Sequence, residues 1–117
     1  MAKVGTPDSV HVLVEFPNGA RGIYHLSGVL HHGPGSQIHL YGSKGTLKYE
    51  LAPENRLLGA RAGESQLAEI TVPDHEIRGW RVEEEFIDAI RGRAPIELTD
   101  FATGVRYMEF TDAVARS

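Results

Sequence analysis

None of the 117 residues is cysteine. Disulfides and thiolate metal sites are therefore excluded, and a fold with no need of oxidation fits a reducing compartment, the cytoplasm. The chain also lacks the run of roughly 20 apolar residues that a membrane helix requires. Its opening, Met1-Ala2-Lys3-Val4-Gly5, is not a basic leader followed by an apolar stretch, so a soluble protein without a membrane partner is expected. Charge of a single sign is missing too: 12 basic residues stand against 16 acidic ones, for a formal net charge of -4. The arginines are scattered rather than gathered into a stripe, which argues against nucleic acid as a partner. No repeat, low-complexity tract or interdomain linker is found.

What the chain does have is apolar content of 41% in a length near the commonest size for one compact unit, so a single domain over residues 1–117 is expected. From Val10 to Phe16 the apolar residues fall on every second position, the period of a strand with one buried face. Pro17-Asn18-Gly19 reads as a three-residue turn into a second strand, from Ala20 to about Leu30. That loop pairs Phe16 with Ala20 and sets Glu15 opposite Arg21, Leu13 opposite Ile23 and His11 opposite His25. Val10, Val12, Val14 and Phe16 then share the other face with Tyr24 and Leu26.

Gly33-Pro34-Gly35 breaks the pattern. A second hairpin is predicted from Gln37–Tyr41, the turn Gly42-Ser43-Lys44-Gly45, and Thr46–Leu51. Arg56–Arg61 and Gln66–Val72 are further strands, bounded by turn residues and by Pro73. Beyond Pro73 the period becomes helical: Val82, Phe86, Ala89 and Ile90 form a stripe that stops at Gly92. A second helix begins near Thr99 or Asp100, either of which can cap it, and carries Phe101, Val105, Met108, Ala113 and Val114. Strands followed by helices without βαβ alternation give an α+β fold, with an antiparallel or mixed β-sheet, helices on one face and an open face for oligomer contacts. That open face holds His11, Leu13, Glu15, Arg21, Ile23 and His25, with Ser27 and Val29 beyond. It is too apolar for plain solvent exposure and too polar for a deep core, so these six residues are the candidate interface of a homo-oligomer.

Several segments together resemble the Gfo/Idh/MocA oxidoreductase family. They are Phe16-Pro17-Asn18-Gly19-Ala20, Tyr41-Gly42-Ser43-Lys44-Gly45-Thr46-Leu47, Gly79-Trp80, Glu85 to Gly92, Pro95, Thr99-Asp100 and Ala113 to Ser117. The resemblance implies the C-terminal α+β domain of that family, whose sheet contributes substrate and subunit contacts. It further implies a partner Rossmann domain, binding NAD or NADP, that this chain does not contain. No Gly-x-Gly-x-x-Gly turn follows a strand here, so no cofactor-binding and no catalytic residue is assigned to this chain, and the chain by itself is expected to be inactive. The resemblance implies a sugar, polyol or related hydroxyl compound as substrate of the parent enzyme.

The candidate substrate contacts are His25, His31 and His32, whose imidazoles can donate to and accept from hydroxyl groups, and Trp80. The Trp80 ring could stack on a sugar, but packing of the helix against the sheet is the preferred role. No metal site is expected, because zinc needs three or four converging ligands and adjacent histidines in a strand point to opposite faces. Glu83-Glu84-Glu85 fans around a helix axis and reads as a solvated face. Gly42-Ser43-Lys44-Gly45 lacks the helix and spacing of a phosphate loop. The alternative function is a stand-alone, sheet-mediated binding or assembly module. An independent hydrolase has no supporting constellation.

Overall fold

The computed structural model describes residues 5–51, 53–98 and 100–117. Among the described residues the fold is α+β, with six strands, all paired antiparallel, and two helices. The strands divide into two sheets. One is the hairpin of β1 (Ser9–Glu15) and β2 (Arg21–Ser27); the other has four strands in the order β3 (Gln37–Gly42), β4 (Gly45–Glu50), β5 (Arg56–Arg61) and β6 (Ala68–Glu69). A 3-10 turn at Asp74–Glu76 precedes α1 (Val82–Ile90) and α2 (Phe101–Arg116). Contacts gather these elements into two units, Met1–Val29 with Arg78–Ser117, and Leu30–Ile77.

In the first unit the hairpin register is the one the alternation and loop length predict: Glu15 pairs with Arg21, Leu13 with Ile23, His11 with His25 and Val10 with Leu26. The loop closes through Phe16 N–H donating to the Ala20 carbonyl and Gly19 N–H donating to the Phe16 carbonyl, each at 2.8 Å. On one face Val14 and Phe16 fold over Gly22, where an added Cβ would meet Val14 Cγ2 at 2.8 Å. Tyr24 on this same face meets Phe110 of α2, with ring centroids 5.6 Å apart.

Helix α1 ends at Gly92, whose φ of 67° is open to glycine at little cost. There the N–H groups of Gly92 and Arg93 turn back to the carbonyls of Ala89 and Asp88, the Schellman arrangement that satisfies the last carbonyls of a helix. Asp100 caps α2 by accepting from Thr103 N–H at 2.7 Å; Thr99, the other capping candidate, lies outside the described residues. Phe101, Val105 and Met108, expected as the inward stripe of α2, are exposed. The half-covered positions are instead Thr103, Gly104 and Val114; with Phe110, residues 103 and 114 share one side of the helix at seven- and four-residue steps.

In the second unit the predicted hairpin forms, with Gly42 paired to Gly45 across Ser43-Lys44. Gly45 has φ of 152°, and a Cβ there would run into the Ala60 carbonyl oxygen of β5. The expected strand Gln66–Val72 shrinks to Ala68–Glu69, and the cause is local. The Arg61 N–H, which alternation directs toward β6, is taken by the Glu64 carboxylate at 2.6 Å, while Ala62 N–H turns to Lys44 on the β4 side. The ladder therefore holds only Leu58 with Glu69 and Gly59 with Ala68, plus an Ile70 N–H bond to Leu57.

Ile38, Leu40, Leu47, Tyr49 and Leu57 share one face of this sheet, and Gln37, His39, Lys48, Glu50 and Arg56 the other. Glu50 accepts from Lys48 at 2.6 Å and from the Arg56 guanidinium at 2.5 Å. The hydrogen bond from Lys48, then that from Arg56, holds the Glu50 carboxyl below its ordinary value. Among the described residues no hydrophobic side chain is fully buried, which corrects the expectation that the apolar content closes a core within this chain. No helix among them is long and apolar enough to cross a membrane.

Candidate functional site

Alternation on β1 and β2 puts His11, Leu13 and Glu15 on one side of the hairpin together with Arg21, Ile23 and His25. This is the side away from the Tyr24–Phe110 contact. Leu13 and Ile23 form its centre, 78% and 76% exposed. At one end the His11 and His25 rings stack, centroids 4.2 Å apart and planes 15° from parallel. At the other, Glu15 and Arg21 are register partners. An apolar pair flanked by imidazoles and opposite charges has the composition of an interface centre with a polar rim.

The candidate ligand contacts are not gathered in one place. His25 belongs to the hairpin, whereas His31 and His32 sit in a turn of the second unit, His32 with φ of 57°. Trp80 lies ahead of α1 and is 80% exposed, so the packing role preferred from the sequence is not the one it has. Beside it the Glu83 carboxyl is lowered from its ordinary value, the Trp80 indole being the first cause. The neighbouring carboxylates have separate partners: Glu84 meets Arg81 at 3.3 Å, and Glu85 accepts from Glu97 N–H at 3.3 Å. The three glutamates thus fan apart, as consecutive helical residues must.

One cleft was not anticipated. It lies within the second unit, has a volume of about 440 Å³ and is lined by residues including His39, Tyr41, Thr46, Arg61, Ser65 and Gln66. Tyr41 hydroxyl and His39 Nδ1 are 2.9 Å apart, and His39 Nε2 is buried without a hydrogen-bond partner among the described residues. The available signal was the two-residue spacing of His39 and Tyr41, which places both on one strand face. Among the described residues no group of three or more His, Asp or Glu side chains gathers as a metal site.

The family model of the GFO/IDH/MocA C-terminal domain matches residues 1–48. This stretch contains the hairpin loop Phe16–Ala20 and the turn Gly42–Gly45, so the likeness to that C-terminal domain is supported on these residues. The match does not extend to Asp74–Ser117. No curated protein and no solved structure matches the chain.

Proposed function

We propose, taking residues 1–48 as a segment of a GFO/IDH/MocA C-terminal domain, that the chain supplies substrate and subunit contacts to an NAD(P)-dependent oxidoreductase acting on a sugar, polyol or related hydroxyl compound. The dinucleotide and the hydride chemistry belong to a Rossmann domain outside these 117 residues, because no strand here runs into the glycine-rich turn that cradles a pyrophosphate. The cytoplasm is the compartment this reading expects. His25, His31, His32 and Trp80 stay as ligand-contact candidates, and the His39–Tyr41 pair joins them on the strength of its place in the cleft lining.

The observation that carries the subunit role is the outward pair Leu13 and Ile23. Two β-branched or branched aliphatic side chains placed face to face on an uncovered sheet gain about 1.5 to 3 kcal/mol each when another surface removes them from water. A second copy of the same face satisfies this isologously, with a two-fold axis near the hairpin. Sedimentation of wild type and of the Leu13→Asp/Ile23→Asp variant at matched concentration tests the reading, with circular dichroism to verify folding. The wild type is expected to dimerise and the variant to associate at least about tenfold more weakly, since each encounter then buries unpaired carboxylates. A folded variant that associates as strongly as wild type would remove the face from the interface.

A further inference from the structure

We propose that His11 and His25 are half of a transition-metal site which a second copy of the chain completes, so that a zinc-class divalent ion bridges two hairpins. The inference rests on self-association through the hairpin face and goes beyond it by naming an ion and its ligands.

Three observations converge. The two imidazoles come from different strands but stand opposite each other in the register, so a rigid ladder fixes their spacing rather than a flexible loop. Their rings lie 4.2 Å apart and nearly parallel, so a rotation about each Cβ–Cγ bond turns one nitrogen of each toward a common point. Both residues are exposed and lie two register positions from Leu13 and Ile23, the next pair on the same face, which puts them beside the patch with the strongest drive to meet a partner.

The objection to a metal is the ligand number. One chain offers two ligands here, and among the described residues no third gathers, while zinc takes four in a closed tetrahedral site. A two-fold axis doubles two to four. Facing sheets stand about 10 Å apart, a gap two imidazoles from each side can span to one ion bound at about 2.0–2.1 Å from each nitrogen. Neutral imidazole suits zinc, copper and nickel, and the absence of carboxylate at this spot disfavours calcium and magnesium.

Coupling follows by mass action: an ion that binds the dimer and not the monomer tightens the dimer, and the dimer raises affinity for the ion.

The test uses the whole chain without a polyhistidine tag. Sedimentation is run in chelator and then in zinc ion alone, with zinc titrated by calorimetry, for wild type and for His11→Gln/His25→Gln. The expected result is one zinc per two chains, a dimer tightened at least about tenfold by zinc, and loss of the zinc effect in the glutamine variant with its folding retained. A wild-type dimer indifferent to zinc, yet dissolved by Leu13→Asp/Ile23→Asp, would overturn the metal site and leave the interface standing. Zinc bound one per chain without effect on association would overturn the shared site. A monomer under every condition would overturn both readings.

Discussion

At the residue scale, two positions carry the second sheet's geometry. Gly45 combines φ of 152° with direct backbone approach to Ala60, so Gly45→Ala must either change that φ or push β5 away from β4. We expect a loss of about 1–3 kcal/mol in urea unfolding; a loss under a few tenths would mean that the turn has another conformation in solution. Glu50 is the other. Its carboxyl is held below the usual 4.5 by Lys48 and Arg56, so the folded state binds a proton less readily than the unfolded chain does. Its stabilisation is fully present above pH about 4.5 and is lost as pH falls through the depressed folded value. Glu50→Gln is expected to flatten that acid limb and leave the slope between pH 6 and 8 unchanged; an acid limb identical to wild type would show that the pair with Lys48 and Arg56 does not persist.

At the element scale, the hairpins were the most legible part of the sequence. Alternation over Val10–Phe16 and a loop of Pro17-Asn18-Gly19 leave one register, and the observed pairs match it from Val10 with Leu26 to Glu15 with Arg21. The stop of α1 at Gly92 and the cap at Asp100 were legible for the same reason, since each depends on a few neighbouring residues. Strand β6 was not: near its start the Arg61 N–H is taken by the Glu64 carboxylate, a side-chain competition that periodicity does not register. Trp80 reads in the sequence as a packing residue because a large ring suggests burial, yet it is exposed ahead of α1. His39 and Tyr41 were passed over as two members of an alternating strand, and only the turn at 62–66 beside them makes a cleft. Helix α1 gives a test at this scale. Phe86 is 48% exposed, so Phe86→Ala is expected to cost about 1–2 kcal/mol instead of the 3–5 of a closed core position. A cost of 3 kcal/mol or more would mean that another surface covers Phe86 in solution.

At the scale of the whole molecule, much apolar surface stays exposed among the described residues, with Leu13, Ile23, Trp80 and Phe101 each more than three-quarters exposed. With 41% hydrophobic residues in the sequence and none fully buried among the described ones, the exposed apolar surface gains stabilisation on contact with something else. Pattern can place Leu13 and Ile23 on the open side of the hairpin, but it names no occupant for that face, and the subunit contact is the one proposed for it. The absence of cysteine supplies a direct probe. Leu13→Cys introduces the sole thiol in the protein, and a short bis-maleimide joins two copies only where their thiols approach within its span. With Ser65→Cys, on an exposed loop of the other unit, as the collision control, the account predicts rapid conversion of Leu13→Cys to a covalent dimer at low protein concentration and little for Ser65→Cys. Leu13→Cys remaining monomeric, or both variants cross-linking at one rate, would contradict the assignment of the hairpin face as the subunit contact.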